Sequence, residues 1–223
     1  SPTPTTTLTA APSKFTLAET EPGASSAGHT VTLRNKGAVA ATLGTVTTSE
    51  PNTFSVTADK CSGTTVAPKK DCTLEVVFTP QSPGAATPGT LVVPYNGTPP
   101  TVTLNGTGAT VTLSASKSVA FGHAAAGSSG KTKTITVTNH TKVAVAIGIS
   151  AVAGAEESSF TLVAGDDTCS ESTLAAGSGC KIEVQFTPEA SASGKQSATL
   201  NLPFTYGPQQ TSGNLAVGLT GNL

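Results

Sequence analysis

Charge is what this sequence has least of. Asp, Glu, Lys and Arg make up 11% of its 223 residues, against roughly 25% in an average soluble domain. Its 12 basic and 13 acidic side chains balance to a formal net charge of -1. A basic patch dense enough to neutralise nucleic-acid phosphates or to hold an anionic lipid surface is therefore excluded as a dominant feature, and no nucleic-acid partner is expected. Disorder is excluded too, because a disordered chain combines high charge with low hydrophobicity, whereas 36% of this chain is hydrophobic. Long apolar runs are also missing, so no transmembrane helix and no membrane insertion are expected. Tryptophan and methionine are absent, and only Tyr95 and Tyr206 stand beside the phenylalanines. Sugar-binding sandwiches commonly present aromatic platforms, and little here supplies one. What remains is abundant Thr, Ala, Gly and Ser, a mixture that suits strands carrying small side chains better than helix bundles.

The chain repeats itself. Ten residues separate Cys61 from Cys72, and ten separate Cys169 from Cys180. The strand from Cys72 to Phe78, followed by Thr79 and Pro80, matches Cys180 to Phe186, Thr187 and Pro188 at an offset of 108. Val31 to Asn35 matches Ile135 to Asn139, Phe54 to Val56 matches Phe160 to Leu162, and Leu104 to Gly106 matches Leu219 to Gly221. Two copies of a domain of about 100 residues follow, the size of an immunoglobulin-like sandwich. We place the domains at 13–108 and 109–223, with an extended Thr/Pro-rich segment at 1–12.

Within each copy apolar residues alternate. Cys72, Leu74, Val76 and Phe78 share one strand face and Thr73, Glu75 and Thr79 the other; Cys180, Ile182, Val184 and Phe186 keep that phase. Val143, Val145, Ile147 and Ile149 form a similar run, as do Ala198, Leu200 and Leu202, and Leu215, Val217 and Leu219. The predicted fold class is all-β, two tandem immunoglobulin-like sandwiches of about seven strands each, with no helix. Pro80 and Pro188, lacking an N–H, read as strand stops. Asn96 and Gly97 suit a turn with positive φ.

An even cysteine count with one pair per copy predicts two disulfides, Cys61 to Cys72 and Cys169 to Cys180. The competing readings are free thiols and a four-thiolate zinc site; the latter needs two distant domains to converge, with spacings unlike those of structural zinc. Oxidised cysteines imply an extracellular, periplasmic or cell-surface location.

Several stretches imitate chemistry without its context. Ala125 to Thr132 comes within one residue of a phosphate-binding loop, but Thr134 to Val137 alternates as a strand where that loop needs a helix. Ser128 with Lys131, and Ser178 with Lys181, have a serine-x-x-lysine spacing without its companion motifs. His29, His123 and His140 show no metal-ligand or general-base spacing. Asp166–Asp167 and Glu156–Glu157 lack the spaced oxygen donors of a calcium loop. No catalytic residue, metal ligand or cofactor is predicted. Asn96, Asn105 and Asn139 each satisfy the N-glycosylation pattern.

Together Asn35-Lys36-Gly37, Phe54 to Val56, Cys61-Ser62-Gly63 with its spaced partner Cys72, Val76 to Pro80 and the closing Leu104 to Gly108 resemble the choice-of-anchor D type repeats of bacterial exported proteins. Those repeats are similar to the ASH/hydin-like branch of immunoglobulin-like domains. The resemblance runs from about Lys14 to Gly221 and implies seven-stranded modules, often in tandem on exported or surface-attached proteins, without catalytic residues of their own. Copy two departs from it in lacking the turn glycine after Asn139 and in having a longer final hairpin.

The expected function is that of a non-enzymatic extracellular structural protein, a self-assembling surface or filament subunit or a rigid spacer. The alternative is a glycan- or protein-binding adhesion module of a larger exported protein. The expected partners are copies of the chain itself, or else a surface glycan or protein. Residues 1–12 are expected to pair with a sheet edge, either of their own domain or of a neighbouring subunit by strand addition.

Overall fold

The structure, a computed structural model, describes residues 6–223. Its regular secondary structure is nearly all strand, and the chain divides into two compact units, Ser1–Thr110 and Val111–Leu223. In the first, one sheet orders Leu8–Ala11, His29–Asn35, Asp71–Phe78 and Phe54–Thr57. The facing sheet orders Lys14–Thr16, Thr103–Asn105, Gly89–Val92 and Thr47–Thr48. In the second, Leu113–Ser114, Thr132–Asn139, Gly179–Phe186 and Phe160–Leu162 form one sheet. The other runs Ser118–His123, Thr211–Asn222, Lys195–Tyr206, Val145–Ile147 and Thr173–Leu174, with Ala151–Ala153 also paired to Lys195–Tyr206. Each unit is an immunoglobulin-like sandwich. Prolines and glycines cut the chain into more and shorter strands than the seven predicted per copy, and among the described residues one helical turn, Glu157–Ser159, occurs in the second unit.

Alternation builds each core. Val31, Leu33, Leu74, Val76 and Phe78 are buried in the first unit, as are Ile135, Val137, Ile182, Val184 and Phe186 in the second. Aromatic rings meet at both centres: Phe54 lies 5.3 Å from Phe78, and Phe160 lies 5.2 Å from Phe186, centroid to centroid. A glycine backbone lies against each central ring, Gly106 on Phe78 and Gly221 on Phe186.

Two local expectations are corrected. The run from Val143 to Ile149 does not hold its phase: Val145 and Ile147 are buried, but Ile149 is 68% exposed. The strand ends where Gly148 donates its N–H to the carbonyl of Pro203, and the buried position passes to Ser150. At Asn96 and Gly97 no positive φ is present. Side chains hold that turn instead, Asn96 Oδ1 accepting the N–H of Thr42 and the Tyr95 hydroxyl donating to the Thr98 carbonyl.

Leu8–Ala11 pairs antiparallel with Thr32 to Asn35 of its own unit, Leu8 opposite Asn35 and Ala11 opposite Thr32. Those four residues thus pair within their own domain, as the outermost strand of its sheet. The part of the 1–12 segment at residues 1–5 lies outside the described residues.

The cysteines are bonded as Cys61–Cys72 and Cys169–Cys180, with Cα atoms 5.3 Å and 5.1 Å apart. No described cysteine is free. Each bond ties the loop before the central strand to the start of that strand. Replacing Cys169 and Cys180 together by serine is expected to destabilise the second unit by about 3 kcal/mol in the chain-entropy model. Urea unfolding of the variant beside the parent reads this as a lowered midpoint; an unchanged midpoint would mean that the loop is ordered without the bond.

Candidate functional site

At one corner of each unit the disulfide loop, a buried asparagine and a capping aspartate form the same arrangement. Asn35 and Asn139 occupy the next inward positions after Val31 and Leu33, and after Ile135 and Val137, and both are fully buried. Asn35 Nδ2 donates to the carbonyls of Val39 and Val66, while its Oδ1 accepts the N–H of Gly37. Asn139 Nδ2 donates to Val143, Leu174 and Ala175, and its Oδ1 accepts from the N–H and hydroxyl of Thr141. Beside them Asp59 Oδ1 accepts the N–H groups of Cys61 and Ser62, and Asp167 Oδ1 those of Cys169 and Ser170. Burial alone would raise the Asp59 carboxyl, but hydrogen bonds from Ser62 and Cys61 outweigh it and hold the group below its usual range. These are polar brackets that fix loops; every donor and acceptor named is used internally.

The motif-like stretches resolve into turns. Ser128 Oγ donates to the carbonyl of Ala125, Ser178 Oγ to that of Ala175, and Gly130 donates its N–H to the carbonyl of Phe186 as the chain enters a strand. Phe15 and His29 stack at 4.1 Å. His140 Nε2 lies 2.6 Å from Ser114 Oγ, an exposed pair to which no described carboxylate is bonded. Glu156 accepts from the N–H and hydroxyl of Ser197. No three His, Cys, Asp or Glu side chains among the described residues group as metal ligands would. Of the glycosylation patterns, Asn139 is buried with its amide fully committed, and Asn105 Nδ2 donates to the carbonyl of Phe15. Asn96 alone of the three is exposed. Tyr206 is buried, which pushes its phenol up from the ordinary value.

What the units turn outward is mostly uncharged. On the first sheet of the second unit the outward positions of Thr132–Asn139 are Thr132, Thr134, Thr136 and Thr138, set against Gln185, Glu183, Lys181 and Gly179. Thr134 Oγ1 donates to Glu183 Oε1 at 2.9 Å. On the other sheet the long hairpin pairs Thr199 with Gly218, Asn201 with Ala216 and Thr205 with Ser212. Asn214 Nδ2 donates to Asn201 Oδ1 across it. Among the described residues the first unit has one ion pair on its sheet face, Arg34 with Asp71 at 3.2 Å. Solvent and salt screen such an exposed pair.

An open cleft of about 630 Å³ lies in the first unit where Thr6 and Leu8 meet Val39, Tyr95, Asn96 and Thr98. The Tyr95 hydroxyl accepts the N–H of Leu8, and Thr6 Oγ1 donates to the carbonyl of Asn96. Sequence patterns do not indicate this cleft, because its walls come from segments about 90 residues apart. The buried asparagines stand out in the sequence only as a motif letter and as a glycosylation pattern. The signal that finds them is a polar residue standing in the apolar phase of a strand at the same place in both copies.

Two disulfide-bearing sandwiches with inward alternation define an immunoglobulin-like protein. Residues 11–109 match the family model described as HYDIN/CFA65/VesB-like, Ig-like domain. No curated protein matches the chain by sequence. Among solved structures, the chain is similar to the VesB protease of Vibrio cholerae at 21% identity and a TM-score of 0.40, over 50% of this chain and 32% of that one. It thus spans about a third of that protein's length. A protein of unknown function from Porphyromonas gingivalis W83 is similar over 97% of this chain and 99% of its own, at 12% identity and a TM-score of 0.39. The ASH/PapD-like domain of human CEP192 is similar over 49% of this chain and 83% of that chain, at 16% identity and a TM-score of 0.36.

Proposed function

We propose that this chain is a non-enzymatic structural part of an exported protein, two tandem modules of the choice-of-anchor D type that associate with further copies of the same chain. The observation that carries the reading is the composition of the outward sheet positions, where threonine, serine, asparagine and alanine stand in place of the Lys and Glu that usually keep strands soluble and apart. With a net charge of -1, copies approach one another without electrostatic repulsion. Support for export comes from the two disulfides, which form and persist in oxidising compartments. No helix among the described residues is long and apolar enough to cross a membrane. The match of residues 11–109 to an Ig-like family model supports the reading of a non-catalytic module.

Light scattering coupled to size exclusion, with negative-stain microscopy of the same sample, tests the reading. Species larger than a monomer at micromolar to millimolar concentration are the expected result; a monomer throughout would overturn it. A second reading, an adhesion module for glycan or protein, is favoured by the cleft bounded by Val39, Tyr95 and Thr98, which sets an aliphatic and an aromatic wall beside hydroxyls and amides. A glycan array probed with the intact chain tests it, and loss of any signal in Tyr95→Ser would assign that signal to the cleft.

A further inference from the structure

The strand Thr132–Asn139 of the second unit has an edge that stays bare from Thr132 to Thr136, two residues more than on the equivalent strand His29–Asn35 of the first unit. Along this strand successive residues direct their backbone groups to opposite sides. Asn139 donates its N–H to the carbonyl of Ser178, on the Gly179–Phe186 side, whereas His140 donates to Thr112, on the side of Leu113–Ser114. The even-numbered residues therefore point away from Gly179–Phe186. Leu113 and Ser114 cover the edge only at Asn139 and Thr138. No described residue pairs with the outward backbone groups of Thr132, Thr134 and Thr136. In the first unit the equivalent edge is filled two residues further, Ala11 lying opposite Thr32, the counterpart of Thr136. Three consecutive outward N–H and C=O pairs on exposed threonines thus form an unpaired strand edge.

Resting on the reading of self-association above, we infer that this edge pairs with the same edge of a second copy, antiparallel and centred on Thr134. In that register Thr134 faces Thr134 of the second copy and Thr132 faces Thr136. All six outward N–H groups then find carbonyl acceptors across the twofold axis. The occupant follows from the edge itself. Its outward-pointing side chains are all threonine, which pair well with threonine across strands and bring no like charge into opposition. Such self-complementarity is what a closed twofold contact requires. Register is set by two neighbours. A shift that centres the pair on Lys133 sets Lys133 against Lys133, and a shift the other way drives Thr132 into Thr138, already covered by Ser114. In the chosen register Lys133 lies diagonal to its mate, so the association strengthens as salt screens that repulsion.

Thr134→Cys tests the geometry directly in the intact chain. Facing residues in a hydrogen-bonded antiparallel pair have Cα atoms about 5.5 Å apart, a separation that a disulfide spans. Mild oxidation should give a covalent dimer from Thr134→Cys and none from Thr132→Cys. Thr134→Pro removes an N–H that its own unit does not use, a placement tolerated on a strand edge; it should leave the thermal midpoint within a few degrees and weaken association at least tenfold in sedimentation equilibrium. Thr134→Lys keeps the N–H but opposes two ammonium groups, and should weaken association in a salt-dependent way. If the parent chain associates but all three variants behave as the parent does, this edge is not the contact while the reading of self-association stands. If the parent is monomeric at every concentration, both fall.

Discussion

Phe186→Ala is expected to lower the stability of the second unit by about 4 kcal/mol, within the usual range for emptying a buried phenylalanine site. The ring is fully buried at the end of Gly179–Phe186 and meets Phe160 at 5.2 Å and Phe121 at 6.2 Å, so the surroundings are themselves rings that collapse poorly into a void. A third wall is the backbone of Gly221, where an added Cβ would lie 2.5 Å from the nearest ring atom. Gly221→Ala in the parent should therefore destabilise as well, because the ring is held by Phe160 and cannot yield. In the Phe186→Ala background the same change places a methyl group into the new cavity and should be neutral or favourable. The two substitutions are then strongly non-additive, with a coupling on the order of 2 kcal/mol. Calorimetry on the four chains of this cycle measures it, and simple additivity would refute the close approach of ring and glycine. Gly106 and Phe78 should show the same coupling in the first unit, since an added Cβ there would lie 2.6 Å from the ring.

Much of this packing is legible in the residues themselves. Phase alone sets Leu74, Val76 and Phe78 inward, and their counterparts in copy two, because a strand buried on one face requires a period of two. The cysteine spacing recurs with its flanks, and each pair lies within one unit. Illegible features depend on contacts between distant segments. Ile149 continues an apolar alternation in sequence, yet the chain leaves the sheet at Gly148 because Pro203 on the neighbouring strand supplies an acceptor there. Asn96 and Gly97 look like a positive-φ turn, but side-chain bonds from Tyr95 and to Thr42 hold another geometry. The bare edge at Thr132 to Thr136 depends on how early the preceding strand crosses to the facing sheet. Leu113 and Ser114 align with Leu8 and Thr9, and no propensity distinguishes where each strand ends. Low charge is visible from composition; only the strand register places its uncharged threonines on an open edge.

Asn139→Ala is expected to cost about 3 kcal/mol, and the hydrogen bonds around it explain why the figure is not larger. Loss of the amide leaves the Ala175 carbonyl satisfied, since the N–H and hydroxyl of Ser178 both donate to it. The Val143 carbonyl keeps the Thr141 hydroxyl. One group is orphaned, the N–H of Thr141, while the carbonyl of Leu174 loses one of its two donors and keeps the N–H of Val145, its partner in the strand ladder. An unsatisfied buried group costs roughly 1–3 kcal/mol, to which the lost donor at Leu174 adds, and at the sensitivity usual for a unit of this size the transition should fall by about 10 °C. Asn139→Asp should be worse than alanine, because a carboxylate has no hydrogen to offer the carbonyls and would be buried among acceptors. A spacer role for the side chain predicts the opposite order, as aspartate matches asparagine in size. Calorimetric midpoints of the two variants decide between these roles. Asn35→Ala should reproduce the loss in the first unit, and the double variant should lower both transitions independently, because the two brackets stand in separate cores.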